Sequence, residues 1–453
     1  MSAASQDIRP LAVVILAAGK GTRMRSDIPK VLHRIAGKSV VGHAASAPQQ
    51  LSPEKLVIVV GPGMEDIVAD VPGAVAAIQH ERLGTAHAVL AARDALQGFD
   101  GDLMVLNGDV PLIEAETLAQ LRASVTNGAA VSVLGFHCST AHAYGRLITD
   151  ETGALDRIVE NKDATAKEKQ TNLCNSNAIV LAAEHAWDIL EAIDNNNAQG
   201  EYYLPDVVKV GRAKGLSCTY AVAPEDEVHG INSREELARA EGLLQKKLRR
   251  RAMENGATLV APDTVFFSHD TQLGQDVVVE PHVVFGPGVS VEDNVTIKAF
   301  SHLEGARVAN AATVGPYVRL RPGADVGTSA KIGNFVEVKK ATIEQGAKVS
   351  HLSYIGDARI GAYANVGAGT ITCNYDGYDK HFTDVGAGAF IGSNTSLVAP
   401  VKVADGGFTG PGSVITKDVS ADALAVERAQ QKEIAGWAAK FRARKEAAKK
   451  KGA

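Results

Sequence analysis

Residues 308–338 read VANAATVGPYVRLRPGADVGTSAKIGNFVEV, with an aliphatic residue at every sixth position: Val308, Val314, Leu320, Val326, Ile332 and Val338. The same spacing runs upstream through Val279, Phe285, Val291, Ile297 and Leu303, and downstream through Val385, Ile391, Leu397, Val403, Thr409 and Ile415. A helix repeats every ~3.6 residues and a half-buried strand every two, so neither explains a period of six. A solenoid does. Short strands turn a corner in each hexad, and stacked coils fill the interior with a ladder of Val and Ile. Gly, Ala, Asp and Asn crowd the intervening positions, as in Gly-Pro-Gly-Val at 286–289 and Gly-Ala-Asp-Val at 323–326, as tight corners require. Residues 273–419 are therefore expected to form a rigid prism, with any chemistry placed where the hexads break.

Upstream, residues 8–230 alternate apolar strand runs (Leu11 to Leu16, Leu56 to Val60, Val75 to Ile78, Leu103 to Leu106) with helix-like spacing at 39–50 and 84–97. That layout predicts a mostly parallel sheet with helices on both faces. Shorter strands at 131–136, 145–149, 155–160 and 217–223 suggest a mixed or antiparallel annex. Ser233 followed by Glu236 is a capping box, and Leu237, Ala240, Leu244 and Leu248 form an apolar stripe, so one helix is expected over 233–254. The expected divisions are 1–232, a linker at 233–254, the solenoid at 255–420, and an Ala- and Lys-rich extension at 421–453 that reads as a short helix with a solvated end.

With 453 residues, 45% of them hydrophobic, the chain can build full cores in two or three domains. A net charge of −5 gives no reason to expect nucleic acid as a partner. Cys138, Cys174, Cys218 and Cys373 lack CxxC spacing and read as reduced thiols. The run from Leu11 to Ala18 is too short to span a membrane and lacks the flanks of a signal peptide. A cytoplasmic protein, with no membrane partner, is expected.

Leu16-Ala17-Ala18-Gly19-Lys20-Gly21-Thr22-Arg23-Met24 follows the first strand, with Pro29-Lys30 soon after. Glycines let successive backbone N–H groups cradle phosphate oxygens, and Arg23 and Lys30 add positive charge. Neither the P-loop ending nor G-x-G-x-x-G is present. Asn107-Gly108-Asp109 ends a buried strand, where an open α/β sheet places ligands; a carboxylate there suits Mg²⁺, although Asp109 by itself could be a turn residue.

These segments resemble the signature of the sugar-1-phosphate nucleotidyltransferases. Gln79, Gly84-Thr85, Tyr144-Gly145-Arg146, Val159-Glu160-Asn161-Lys162, Asn175 and Gly230-Ile231-Asn232 follow in that family's order. The resemblance implies that Leu16, Ala17, Ala18, Gly19, Arg23, Lys30, Gln79, Gly84, Thr85, Asn107, Gly108, Asp109, Gly145, Glu160, Asn175 and Asn232 bind nucleotide and sugar. Asp109 and Asn232 would hold Mg²⁺; Asn232 could also be a cap before the helix. Two departures stand out: Asn175-Ser176-Asn177 where the family often has Thr-Gly after the asparagine, and Asn107 where Tyr is common.

In the solenoid the repeat is interrupted by Arg319-Leu320-Arg321-Pro322-Gly323, Asn334 to Lys340, His351-Leu352-Ser353-Tyr354, and Ala364 to Gly369 leading into Thr372 to Gly377. Residues 373–384 break the hexad and are expected to protrude. Together with the N-terminal strings, these look like the bacterial family that combines N-acetylglucosamine-1-phosphate uridyltransferase with glucosamine-1-phosphate acetyltransferase. The likeness implies an α/β, Rossmann-like nucleotidyltransferase domain followed by a left-handed parallel β-helix of hexapeptide repeats. It implies His351 as general base toward the sugar amine, suited by an imidazole that titrates near neutral pH. Arg321, Lys339, Tyr354 and Asn365 would bind the sugar phosphate. Ala368, Asn374, Tyr375, Ser393, Pro411 and Arg428 would line the acetyl-CoA groove, with Pro411 standing where alanine is common. Cys373 reads as a structural thiol, since direct transfer needs no acyl-cysteine. His269, His282 and His302 have no matching context and are assigned nothing.

The implied substrates are glucosamine-1-phosphate, acetyl-CoA and UTP, the product UDP-N-acetylglucosamine for peptidoglycan and lipopolysaccharide synthesis, and the assembly a homotrimer. Two other readings stay open: a monofunctional nucleotidyltransferase whose β-helix only regulates or oligomerises, and a non-catalytic scaffold. Intact charged residues at both sites argue against each. A carbonic anhydrase fails for want of a three-histidine zinc set.

Overall fold

The computed structural model describes residues 9–139 and 144–451. It divides into two compact units: one runs to Arg250 and takes in Phe267–His269, and the other comprises Arg251–Phe266 and the chain from Asp270 onward.

The first unit is built on nine strands: β1 (Leu11–Leu16), β2 (Lys55–Val60), β3 (Val75–Ile78), β4 (Asp102–Asn107), β5 (Val131–His137), β6 (Arg146–Thr149), β7 (Leu155–Val159), β8 (Leu173–Leu181) and β9 (Cys218–Ala223). Their order is β9-β5-β8-β4-β1-β2-β3, with the β6–β7 hairpin hung from β8. Strands β3, β2, β1 and β4 are parallel, whereas β8 runs antiparallel to both β4 and β5. The central strands are buried on both faces and read as unbroken apolar runs for that reason. The expected annex is corrected here: 131–137 and 218–223 extend the main sheet, and only the β6–β7 hairpin departs from it. Strand β8, which supplies the link, went unread in the sequence because its centre, Asn175-Ser176-Asn177, is polar.

Helix Val40–Gln50 opens on Ser39, whose hydroxyl accepts from the Gly42 N–H at 3.1 Å. The long helix runs Arg234–Glu254 and is capped by Ser233, whose hydroxyl accepts from the Glu236 N–H at 3.2 Å.

The second unit is a parallel β-helix. One column of ten short strands runs from Thr258–Leu259 to Leu424–Ala425, and a 14-stranded set supplies the other faces. Partners in successive coils are usually seventeen or eighteen positions apart, as in Val308 to Val326 and Val326 to Ile343, which is three hexads per coil. Val308, Val314, Leu320, Val326, Ile332 and Val338 are all fully buried. Corners are turned by residues with positive φ, many of them not glycine: Asp276, Asn294, Ala311, Ser329 and Asn394 among them.

Two strands are longer than the rest. Glu337–Ile343 and Tyr354–Ile360, seven residues each, bend across a corner at Lys340 (φ 44°) and Asp357 (φ 46°), pairing with strands on both sides of it. After Cys373 the regular coil is interrupted, and pairing resumes at Thr383–Val385, so Asn374 to Phe382 loops out, largely exposed, with Tyr378 at 93%. The extension carries a helix, Trp437–Lys451, exposed over its described side chains. Among the described residues, no helix is long and apolar enough to cross a membrane.

Ile332 stacks between Val314 and Val349 in the ladder. Ile332→Ala is expected to cost about 3 kcal/mol. Calorimetry should show the second unit's transition moving to lower temperature and the first unit's staying in place.

Candidate functional site

In the first unit, β1 is flanked by β2 on one side and β4 on the other, so the chain reverses direction around it and leaves a crevice at the carboxyl ends of the strands. Leu16 and Asn107, the last residues of β1 and β4, are register partners. The loops that follow therefore start side by side. A cleft of about 270 Å³ opens there, lined by Leu16, Ala17, Ala18, Gly19, Lys30, Gln79, Gly84, Thr85, Asn107 and Asp109. All ten are residues singled out in the sequence. Gly108 backs them, its N–H donating to the Leu16 carbonyl at 2.9 Å. Gly84 has no alternative: at φ 125°, a Cβ would lie 2.5 Å from the Tyr202 carbonyl oxygen.

The Lys30 ammonium stands between Asp109 Oδ2 at 2.5 Å and Asn232 Oδ1 at 3.0 Å. Residues 79 and 202 positions away from Lys30 thus meet it at one point. Two hard oxygens already converge on a cation, which is the donor set a Mg²⁺ ion accepts when phosphate oxygens and water complete its shell. Among the described residues there is no cluster of three or more His, Cys, Asp or Glu able to enclose a metal unaided.

Gly145, Glu160 and Asn175 form a second group on the β6–β7 hairpin and β8. The Asn175 N–H donates to the Gly145 carbonyl at 2.9 Å, and a Cβ on Gly145 would come within 3.2 Å of Glu160 Oε1. Burial first, then the carboxylates of Asp163 and Asp206, raise the Glu160 pKa; Arg146 works against them. Asn177 adopts φ 65°, a left-handed conformation that asparagine tolerates. Arg23 is exposed and does not line the cleft.

Four cleft residues were not read from the sequence: the apolar Val31 and Ala88, and the charged Arg82 and Glu201. Arg82 donates through Nε to the Ala18 carbonyl at 2.8 Å and pins the glycine loop, and Glu201 adds a carboxylate to the wall. Arg82 sits between Gln79 and Gly84, and that closeness was the only available signal. Nothing local distinguished Glu201.

On the β-helix, the predicted residues gather around one corner. His351 ends a strand of the ten-strand column, Leu352 (φ 49°) and Ser353 turn the corner, and Tyr354 begins the next face. Register runs Arg319–Glu337–Tyr354 through successive coils, and Lys339 pairs with Gly356. The Arg321 N–H donates to the Val338 carbonyl at 2.9 Å, which sets Arg321 one coil before Lys339. The Tyr354 ring folds over Gly356, where a Cβ would meet its hydroxyl at 2.3 Å. Arg321, Lys339 and Tyr354 therefore form a short column beside the corner, with His351 across it. Asn365 sits apart, in register with Lys348.

Unforeseen residues hold this group. Asn334 Oδ1 lies 2.8 Å from His351 Nδ1, Glu337 takes Arg321 Nη1 at 2.8 Å, and the Ser353 hydroxyl donates to the His351 carbonyl at 2.8 Å. Asp357 accepts from Asn374 Nδ2 at 2.5 Å. Four of the predicted coenzyme residues, Ala368, Ser393, Pro411 and Arg428, follow one another along a second column. The Gly369 N–H donates to the His351 carbonyl at 3.2 Å, Asn394 to Ala368 at 2.7 Å and Gly412 to Ser393 at 2.8 Å, and Arg428 Nη1 donates to the Pro411 carbonyl at 3.1 Å. Proline has no N–H, so position 411 offers this column only its carbonyl, and Arg428 takes that. Tyr375 lies in the protruding loop, its ring 4.5 Å from Lys380 Nζ, while Asp376 holds the loop by accepting the Tyr378 and Asp379 N–H groups and His381 Nε2 at 2.7–2.8 Å. All four cysteines are without disulfides, and burial raises the Cys174 and Cys218 thiols to about 11.

Comparison with known proteins matches residues 13–172 to the MobA-like NTP transferase domain. The chain is 55% identical over 443 residues to the bifunctional protein GlmU of Paramagnetospirillum magneticum, covering 97% of this chain and 98% of that one. It is 56% identical over 439 residues to the GlmU of Azorhizobium caulinodans and 56% over 441 residues to that of Xanthobacter autotrophicus, covering 96% of this chain and 98% of each relative.

Glu160 yields a pH prediction. A carboxyl whose folded pKa is raised favours the fold below its unfolded pKa, and this contribution is lost as pH rises through the folded value. Glu160→Gln removes the resulting penalty. Thermal melts should place the variant above the parent at about pH 8, with the gap closing toward about pH 4.

Proposed function

Because the chain belongs to the bifunctional GlmU family, we propose that its two sites divide that family's work, the β-helix corner acetylating glucosamine-1-phosphate and the sheet cleft converting the product to UDP-N-acetylglucosamine. The observation that carries the reading is the presence of two clusters: Lys30 bonded to Asp109 and Asn232 in one unit, and Arg321, Lys339, His351 and Tyr354 gathered at one corner of the other, with Glu337 on Arg321 and Asn334 on His351.

At the β-helix corner, Arg321 and Lys339 hold the sugar phosphate by charge-assisted hydrogen bonds. Asn334 accepts the Nδ1–H of His351, which leaves Nε2 with its lone pair. The sugar amine nitrogen attacks the acetyl-CoA carbonyl carbon, Nε2 takes the amine proton, and the C–S bond breaks to release CoA as a thiolate that collects a proton. Tyr354 binds the sugar, and Ala368, Asn374, Tyr375, Ser393 and Arg428 hold the coenzyme.

In the cleft, the backbone N–H groups of Ala18 and Gly19, with Lys30, hold the UTP phosphates. Gln79, Gly84 and Thr85 hold the uridine side. Asn107, Gly145, Glu160 and Asn175 hold the acetylated sugar phosphate. Its phosphate oxygen attacks the α-phosphorus in line, and the bond to pyrophosphate breaks. Asp109 and Asn232 would hold Mg²⁺, which when bound neutralises phosphate charge. Lys30 moves from the carboxylate to the phosphates as they arrive.

Assembly as a homotrimer in the cytoplasm is part of this proposal. An exposed ladder supports a protein partner: His282, Phe300, Tyr317 and Phe335 stack at 4.9–5.1 Å along one corner, leading to Leu352, which is 62% exposed beside His351. A fully active monomer on dilution in the acetyl assay would contradict it.

Asp109→Ala should lower pyrophosphate release by about a hundredfold or more and leave CoA release intact. His351→Ala should lower CoA release by about a hundredfold or more and leave uridylyl transfer intact. Two separate assays read them: CoA thiol release from glucosamine-1-phosphate and acetyl-CoA, and pyrophosphate release from UTP and supplied N-acetylglucosamine-1-phosphate. Parallel loss of the two activities in either variant would overturn the two-site reading.

A further inference from the structure

The segment that delivers Asn232 to the cleft is pinned on both sides. The Ile231 N–H donates to the Asp109 carbonyl at 2.9 Å, and the Asn232 N–H donates to Glu236 Oε2 at 2.6 Å. In an ordinary capping box, the acid three residues into the helix returns to the N–H of the capping residue. Here Ser233 is the cap, and Glu236 reaches one residue further back, to Asn232. That bond does nothing for the helix's own unsatisfied donors. What it sets is the Asn232 peptide, and hence the direction in which the amide side chain leaves the backbone. Asn232 Oδ1 then meets the Lys30 ammonium at 3.0 Å, facing Asp109.

The same stretch of helix also restrains the loops on the other side of the cleft. Arg234 Nε donates to the Met24 carbonyl at 3.3 Å and its Nη1 lies 3.3 Å from His33 Nδ1, while Glu241 Oε2 accepts from the Ala36 N–H at 2.7 Å. Lys30 lies within the segment so held. The opening turns of this helix therefore hold Asn232 directly and its partner Lys30 through the loop that carries it.

We infer that Glu236 is a positioning residue for the cation site, acting through the Asn232 peptide without touching the ion. The inference rests on the reading of Asp109 and Asn232 as cation ligands. A charged acceptor aligned at 2.6 Å restricts the peptide more than water would, and groups that orient metal ligands typically change affinity by about 10- to 100-fold.

The test uses the full chain and Mn²⁺ alone, titrated by the enhancement of water-proton relaxation, with Asp109→Ala identifying the site. Glu236→Ala should weaken Mn²⁺ binding by about tenfold. Glu236→Gln, which keeps an acceptor oxygen without the charge, should fall between, at about threefold. Ser233→Ala weakens the same helix end without touching the Asn232 peptide, and should bind Mn²⁺ as the parent does. CoA release should be unchanged in all three. Parental Mn²⁺ affinity in both Glu236 variants would overturn the inference and leave the cation reading standing, as would an equal loss in Ser233→Ala. If the parent shows no Mn²⁺ binding that Asp109→Ala removes, the cation reading fails and this inference falls with it. Should Glu236→Ala not fold, Glu236→Gln alone decides.

Discussion

Parallel pairing of strands is the constraint on which both sites depend. Antiparallel neighbours can be joined by a short hairpin, but parallel neighbours need a long return of the chain. Each return brings the next strand in at the same end as the last, so loops remote in sequence emerge side by side. In the first unit, the Leu16–Asn107 register places the glycine loop next to Asp109. In the second, coil on coil aligns Arg319, Glu337 and Tyr354 and sets Asn334 beneath His351. Hydrogen bonds between backbones do the aligning, and the buried ladder of Val and Ile keeps the register from slipping, because a one-residue slip would turn apolar side chains out to solvent.

The candidate site residues fall where that regularity is interrupted. The two longest strands of the β-helix carry Lys339 and Tyr354, and both cross a corner at a residue in the left-handed region. The Asn374 to Phe382 loop exists because one coil admits extra residues, and Asp357, at such a corner, takes the Asn374 amide. In the first unit the irregularity is the bulge in β8 between Asn175 and Ile179. Glu160 shows the electrostatic counterpart: a half-buried carboxyl beside Asp163 and Asp206 costs stability at neutral pH.

The first unit is not complete at the end of its sheet. Asn232, Arg234, Glu236 and Glu241 all lie on or beside the helix that leads away from it, and each bonds to the cleft or to the loops that frame it. A boundary drawn at residue 232 separates Asn232 from Glu236, to which its N–H is bonded. Compact clustering of the chain carries this unit to Arg250 instead.

By itself, the sequence determined what depends on periodicity and local chemistry. A period of six can be satisfied only by stacked short strands, so the ladder at 308–338 is legible from spacing alone. The apolar runs at 11–16 and 103–106, the Ser233 cap and the glycine loop are legible for the same reason: each involves residues within a few positions of one another. The tertiary structure decided what depends on register between distant segments. No local pattern shows that Arg82 reaches Ala18, that Glu201 joins the cleft, that Glu337 rather than solvent meets Arg321, or that Asn334 sets the His351 ring. Resemblance supplied most of the site residues, but their partners could not be found that way. A hydrogen bond between side chains is selected by which backbones lie about 5 Å apart, and that is settled only when the coils and strands have paired.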